Sequence, residues 1–342
     1  MKSKYYNGVR LLNAQCPINF SIGNRSAGKS YYWKRYCIKR FLNNGEQFIY
    51  LRRHVNDVDM AMGSFFEDIG HEFPEYSFVR EKFCCYLIKL NETGEEIDRK
   101  LCGFCFALSI LHKLKSMPFE NVCTIFYDEF IPENMRYLKP LEPTYEPSLL
   151  LSLYLTVARG YKRVIRDEVR IICVANMVTM FNPYFSFFEI DLTKQEHVIK
   201  NNVYAEKIMQ EGVSQEIRES KIGAILERTT YGAYALDNIA YNDNNSHVLP
   251  RPRTARQWYS LYAFDWYTSY FDDNGNVYFD KVYDPSLTRK YKLCNLPDCN
   301  DSIPWFKGDI MKVMKQLMEQ DKIYYCTMEV KAALAGYFTP KI

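Results

Sequence analysis

The sequence predicts an α/β protein in two parts. Residues 1–203 would form a domain on a mainly parallel sheet, and 251–342 a smaller α+β domain, with a helical linker segment at 204–250 between them. Three observations predict this. Short apolar runs alternate with amphipathic stretches through about the first 190 residues, the pattern of strand–helix–strand units. From about residue 200 the chain turns charged and polar, through "AEKIMQEGVSQEIRESKIGAILERTTYG" to the turn-rich "DNIAYNDNNSHVLPRPRTAR". Two alternating aromatic runs then flank "DDNGN", a strong hairpin signal.

In chain order, "PINFSIG" reads as a buried strand and "KSYYWKRYCIKRFLNNG" as a helix, with Gly45 placed to end it. "EQFIYLRR" is a second buried strand. Residues 83–90 and 100–108 flank the polar turn "NETGEEIDR" and predict an inserted β-hairpin. The strand "VCTIFYDEF", a helix around "SLLLSLYLTVAR" and the strand "EVRIICVAN" follow, with "SFFEIDL" a further candidate strand. The last part holds the aromatic hairpin, a helix at "DIMKVMKQLMEQD" and a short strand at "KIYYCTM".

Composition narrows the class. A hydrophobic fraction of 47% and a charged fraction of 25% are those of an ordinary soluble domain. No apolar stretch reaches the roughly 18–20 residues that cross a bilayer, and the N-terminus lacks a signal-peptide core, so no membrane partner and a cytoplasmic location are expected. Eleven cysteines in a chain this long read as reduced structural thiols. "CGFC" (Cys102–Cys105) has no second pair to complete a zinc site. Net charge is only +3, so any nucleic-acid surface must be local.

The chemistry concentrates in Gly23-Asn24-Arg25-Ser26-Ala27-Gly28-Lys29-Ser30, which fits G-x-x-x-x-G-K-[ST] at every fixed position. Glycines let backbone amides turn inward around phosphate oxygens, and a helix N-terminus adds positive potential. Lys29 would reach the β- and γ-phosphates of ATP, and the Ser30 hydroxyl would coordinate Mg²⁺. A strand before the loop and a helix after it supply the context the motif needs. The bland alternative is a strand-to-helix turn with an exposed lysine.

A nucleotide hydrolase also needs a carboxylate for Mg²⁺ at the end of a neighbouring strand. "VCTIFYDE" supplies Asp128 for the metal and Glu129 as general base. Two acids at an exposed strand end are the alternative. A glutamate here favours the ATPases with an additional strand between the two motifs, and "QFIYLRR" could pair in such a sheet. Asn176, ending the next strand, either senses the γ-phosphate or caps the strand end; the residues leave both open. Arg25 contacts phosphate, couples the loop to another element, or faces solvent. Arg159, closing its helix, is a candidate arginine finger for a neighbouring subunit, worth roughly 10³–10⁵ in turnover where such residues act. Lys162, Arg163 and Arg166 are alternatives, or together a solvated basic turn.

"NFSIGNRSAGKSYYWK", "NGEQFIYLRR", "NVCTIFYDEFI", "LTVAR" and "VRIICVANMVTMFNPYF" together resemble the DNA-packaging (encapsidation) ATPases of φ29-type tailed phages, in that family's order over most of the first 190 residues. The last third is less similar, with "YDPS" its best piece. The resemblance implies a homomeric ring, a homopentamer, at the portal (connector) vertex of an empty prohead, translocating double-stranded DNA with ATP. It implies a location in the host cytoplasm, transiently at the portal, and absence from the mature virion. A packaging RNA joins portal and ATPase in the φ29 group, though not necessarily in every relative. The family's arginine finger falls on Arg159. Where the family can carry a lysine after "LRR", this chain has His54-Val55, which puts a second trans-acting basic residue in doubt; Arg52 or Arg53 could substitute.

Relatives also carry a C-terminal domain of RNase H-like shape without nuclease activity. Asp265, Asp272, Asp273, Asp280 and Asp284 do not form a persuasive two-metal set, and Asp272 and Asp273 belong to a turn. "LPRPRTARQWY" instead places Arg251, Arg253 and Arg256 beside Trp258, suited to phosphate contact with nearby stacking, or simply a basic linker before a core tryptophan. Two rival functions stay on the page: a helicase or repair ATPase without a capsid, and an assembly scaffold fixed by nucleotide with little turnover.

Overall fold

The computed structural model describes residues 4–113, 119–133, 137–138, 145–159, 165–240, 247–263, 265–294 and 302–338. The chain divides into two compact units. One comprises Met1–Pro132, Ser148–Val178 and Ile190–Tyr241, the other Glu133–Pro147, Thr179–Glu189 and Asn242–Ile342.

The larger unit runs α1 (Val9–Asn13), β1 (Ile18–Gly23), α2 (Lys29–Asn44), β2 (Gln47–Arg52), α3 (Val55–Gly63), β3 (Tyr76–Glu81), β4 (Cys84–Leu90), β5 (Glu96–Ala107), β6 (Val122–Asp128), α4 (Glu146–Ala158) and β7 (Arg170–Asn176). After α5 (Pro183–Phe187) of the other unit come β8 (His197–Lys200), β9 (Val203–Ile208), α6 (Glu211–Glu219), α7 (Gly223–Leu226) and α8 (Thr230–Asp237). Its nine strands form one sheet in the order β3-β4-β5-β2-β6-β7-β1-β9-β8. The six from β5 to β9 are parallel, and β3, β4 and β8 extend the edges antiparallel. Every residue of β1 is buried, as expected of a central strand covered on both faces.

The additional strand is therefore real, and it is β7: "RIICVAN" lies between β1 and β6, while "QFIYLR" of β2 pairs with the far side of β6. The inserted hairpin is present, but β5 starts at Glu96, inside the stretch read as a turn. Its first half is largely exposed and its second half wholly buried. That second half contains "CGFC", with Cys102 and Cys105 both buried, and a side chain at Gly103 would lie 2.5 Å from the Phe48 carbonyl oxygen of β2. The motif is core packing. Helix α2 ends as predicted, at a left-handed Gly45 (φ 72°) whose N–H returns to the Phe41 carbonyl.

Three readings need correction. "SFFEIDL" is no strand: Asn182 accepts from the N–H groups of Tyr184 and Phe185, and Pro183 takes the first position of the short helix α5, which ends on the first two residues of the run, Ser186 and Phe187. "AEKI", expected as helix, belongs to β9 beside β1, so 204–208 is sheet rather than linker, and the unit continues through α6–α8. Residues 241–246 of the expected linker lie outside the described residues. The aromatic hairpin is a three-stranded meander, because its first run holds two strands.

That meander opens the smaller unit's sheet: β10 (Arg256–Tyr262), β11 (Trp266–Phe271) and β12 (Val277–Asp280) are antiparallel. β13 (Lys290–Lys292) runs parallel to β10, and β14 (Ile323–Tyr325) parallel to β12. With α9 (Asp309–Glu319) and α10 (Met328–Phe338) this is a mixed α+β unit, in the order β13-β10-β11-β12-β14 around a core of Tyr259, Phe279, Phe306, Met314, Leu334 and Phe338.

Helix α2 carries the glycine loop's lysine and serine, and its outer face is tethered by Glu72. That carboxylate accepts from Tyr31, Arg35 and Lys39, at positions i, i+4 and i+8 of the helix. Partial burial pushes the Glu72 carboxyl up, but the three donors outweigh it and hold it at about 2. A carboxyl depressed in the folded state stabilises above its unfolded value and loses that contribution as pH falls through its folded value. Glu72→Gln should therefore cost about 1 kcal/mol at neutral pH. The gap to wild type in urea unfolding should close progressively below about pH 4.5; a gap independent of pH would refute the tether.

Candidate nucleotide-hydrolysis site

The glycine loop connects β1 to α2 as the motif requires. At Gly23 a side chain would meet the Ile208 carbonyl oxygen at 2.5 Å, so the close approach of β9 demands glycine there. Ser26 and Gly28 are left-handed (φ 60° and 87°), which curls the loop over the helix. Gly28 is the N-cap of α2 and gives no side-chain cap, leaving the first amides of the helix for a ligand. Asn24 faces the other way. Its side chain is buried, accepts from the Gln210 N–H (3.1 Å) and donates to the Ser214 hydroxyl (3.1 Å), so it anchors the loop to α6. Arg25 is exposed and donates to the Tyr231 hydroxyl of α8 (3.0 Å), a contact that links the loop to that helix. Ala27 accepts from the Tyr6 N–H (2.8 Å), and Tyr5 packs beside Gly28.

Lys29 is buried with its ammonium on the carbonyl oxygens of Asn24 (2.8 Å) and Gly23 (3.2 Å). Burial lowers its pKa to about 7, against the upward pull of Asp128. A buried amine bonded, among the described residues, to neutral carbonyls alone is a site that a phosphate anion would complete. The Ser30 hydroxyl donates to Asp128 Oδ1 (2.7 Å), and Tyr50 donates to Oδ2 (3.0 Å). Hydroxyl and carboxylate oxygens side by side are the hard-oxygen donor set that Mg²⁺ takes.

Strand alternation would send the side chains of Asp128 and Glu129 to opposite faces. The backbone prevents this: Glu129 follows β6 in the left-handed region (φ 58°), a conformation that costs a non-glycine residue on the order of 1 kcal/mol. Both carboxylates consequently meet one guanidinium. Arg52, at the end of β2, lies 3.2 Å from Asp128 Oδ2 and 2.7 Å from Glu129 Oε2. The buried Arg53 donates to the carbonyls of Glu129 (3.3 Å) and Phe130 (2.6 Å), pinning the turn. The Arg52 side chain is 15% exposed and Arg53 is buried, so in the single chain both guanidiniums are turned onto this acidic turn. Tyr50 is a site residue that the sequence reading missed, and Arg52 and Arg53, named there only as possible trans-acting residues, hold the acidic pair of their own subunit; only their position at the end of a strand next to β6 could have pointed to that.

Asn176 ends β7 in register with Gly23, half-buried beside the loop, and among the described residues its side chain has no hydrogen bond. Arg159 is apart from this cluster. It is exposed at the end of α4, at one end of a groove of about 560 Å³ lined by Ser148, Leu151, Ser152, Leu155 and Thr156. Among the described residues its guanidinium has no ion pair or side-chain hydrogen bond. Lys162 and Arg163 lie outside the described residues. Arg166 is no solvated basic residue, since its guanidinium is turned inward onto backbone carbonyls.

In the smaller unit, Arg251 lies 4.1 Å over the Tyr270 ring and pairs with Asp280, and Arg256 lies over Phe271 and pairs with Asp273. Arg253 is exposed. Trp258 is half-buried, packing on Tyr259 and Phe271 against the core of this unit. The aspartates are dispersed among separate partners: Asp265 with Lys281, Asp272 within its own turn, Asp284 with Ser286 and Gln257. Among the described residues no group of three or more His, Cys, Asp or Glu converges on a metal position.

A family model for the podovirus DNA encapsidation protein (Gp16) matches residues 1–319. The chain is 34% identical over 313 residues to the DNA packaging protein of Bacillus phage phi29, covering 88% of this chain and 86% of that protein. Among solved structures, the N-terminal domain of the DNA packaging ATPase from bacteriophage phi29 is 36% identical, with a TM-score of 0.50, covering 60% of this chain and 97% of that one. The subunit in the bacteriophage Phi-29 viral genome packaging motor assembly is 30% identical, with a TM-score of 0.63, covering 96% and 97%.

Proposed function

The chain belongs to the podovirus DNA encapsidation protein family, and on that premise we propose that it is the ATP-hydrolysing subunit of a motor that drives double-stranded viral DNA into a preformed prohead. The observation that carries the reading is the junction of Ser30, Asp128 and Glu129 at the carboxyl ends of β1 and β6, with β7 between those strands. That arrangement supports hydrolysis over nucleotide binding alone, because a carboxylate adjacent to the metal-binding one is held at the phosphate crevice.

ATP is the substrate, its phosphates received by the loop amides of 23–30 and the Lys29 ammonium. Ser30 and Asp128 are the residues that would hold Mg²⁺, which when bound neutralises charge on the phosphates. Glu129 accepts the proton of the attacking water. For that it must leave Arg52, so the same guanidinium that gathers both carboxylates also restrains the base. Asn176, beside Gly23, orients the water or reads the γ-phosphate. Arg159 reaches a neighbouring subunit's phosphates, which suits an exposed arginine whose guanidinium has no partner among the described residues. Such a requirement makes the working form a homomeric ring; the homopentamer rests on the resemblance. The ring sits at the portal in the host cytoplasm only transiently and is absent from the mature virion. A packaging RNA, which joins portal and ATPase in the φ29 group, is a candidate third partner after DNA and portal.

The smaller unit is the nucleic-acid- and portal-contacting part, with its RNase H-like character resting on the resemblance. Arg253 is its best-placed candidate for DNA, whereas Arg251 and Arg256 must first give up Asp280 and Asp273. Backbone contact of this kind is sequence-independent and weakens steeply with salt.

The test is ATP hydrolysis on portal-bearing proheads with and without linear double-stranded DNA, scored together with DNase-protected DNA. Stimulation of turnover and protection of DNA, both falling as salt rises, are expected. Unwinding of a tailed duplex without protection would favour the helicase reading, and tight ATP binding without turnover on proheads the scaffold reading.

A further inference from the structure

We infer that Arg166 is a positioning residue for Arg159: its guanidinium locks the end of α4 and so fixes where the arginine offered to a neighbouring subunit stands. The inference rests on the reading of Arg159 given above. The Arg166 side chain is 14% exposed and, among the described residues, has one weak charge partner, Glu168, at 3.6 Å. Its side-chain hydrogen bonds to the described residues go to backbone carbonyls. Nη1 donates to Glu120 (2.7 Å), and Nη2 faces Phe119 (3.0 Å), Val122 (2.8 Å) and Val157 (2.8 Å).

These acceptors belong to two elements. Phe119, Glu120 and Val122 lead into β6, the strand that ends in Asp128. Val157 is in the last turn of α4, two residues before Arg159. The backbone repeats the connection, since the Arg166 N–H donates to the Ala158 carbonyl (2.7 Å) and Arg159 pairs with Ile165 in an isolated antiparallel bridge. Carbonyls in a helix's last turn lack partners within the helix and carry its negative end, so a buried cation is well suited to them. A planar fork can meet several carbonyls at once and a lysine ammonium cannot match it. The result is a rigid base for Arg159, tied to the strand that carries the metal-binding carboxylate.

The experiment is a double-variant cycle on the full chain assembled on proheads. Arg166→Lys keeps the charge and loses the fork. It should lower kcat by about 10²-fold, the scale of a misplaced catalytic group, with ATP affinity and melting temperature close to wild type. On an Arg159→Ala background it should cost nothing further, because both changes remove the same contribution. Arg166→Gln, neutral but with two amide N–H groups, is the second variant should lysine fail to fold, and the same non-additivity is expected of it. An equal fractional loss on the Arg159→Ala background, weakened ATP binding, or an unchanged kcat would each overturn the inference. Should Arg159→Ala itself leave kcat unchanged, the finger reading falls and this inference with it. A costly Arg159→Ala beside a harmless Arg166→Lys sinks the inference alone.

Discussion

Glu129→Gln should reduce steady-state ATP turnover by about 10²- to 10⁴-fold, the range associated with loss of a positioned general base, while ATP binding changes little. The structure gives the reason for that split. Binding is assigned to the loop, Lys29 and the Ser30–Asp128 pair, none of which depends on the Glu129 side chain. Glutamine is isosteric, so the left-handed turn after β6 and the carbonyl contacts of Arg53 survive. What is lost is the proton acceptor and the charged contact with Arg52. Asp128→Asn is the instructive contrast: it removes a charge shared by Ser30, Tyr50 and Arg52, and should weaken nucleotide binding as well as turnover. Equilibrium binding of a fluorescent ATP analogue, run beside single-turnover hydrolysis, separates the two. Turnover by Glu129→Gln within tenfold of wild type would mean that the base is another group.

The sequence was most readable where chemistry demands fixed residues at fixed spacing. The glycine loop, the acidic pair after an apolar strand and the strand–helix alternation all follow from local pattern, and each is in place. What stayed hidden depends on long-range packing. Nothing in "YDEF" signals that Glu129 turns left-handed, yet that single dihedral brings both acids to one guanidinium. "AEKI" carries two charges and precedes a helical pattern, so it reads as helix; as β9, Glu206 is instead buried, accepting from the Tyr6 and Tyr204 hydroxyls. The basic cluster from Lys162 to Arg166 looks solvated until the fold surrounds Arg166 with carbonyls. Asn24 stands inside the phosphate motif, but its side chain answers to α6, nearly two hundred residues away in sequence. Motif reading finds the residues that touch a substrate better than those that hold them in position.

Arg159→Ala should lower turnover by about 10³-fold or more, the scale on which arginine fingers act in phosphoryl transfer, and the loss should depend on assembly. Among the described residues Arg159 makes no side-chain contact with its own subunit's site: the hydrogen bonds and ion pairs of Lys29, Ser30, Asp128 and Glu129 do not include it, and it is exposed beyond the last turn of α4. Its removal should therefore leave ATP affinity and melting temperature essentially unchanged. Beside it lies the groove in which Leu155 is 55% exposed next to Ser152 and Thr156. Action in trans predicts a signature that a cis-acting arginine cannot give. Specific activity of the wild-type protein should climb with protein concentration as neighbours meet, whereas Arg159→Ala should stay flat and low over the same range. If the variant's activity instead climbs in parallel with wild type at a constant fraction, association does not deliver this arginine to the site, and the group that completes the neighbour's chemistry must be sought on another element.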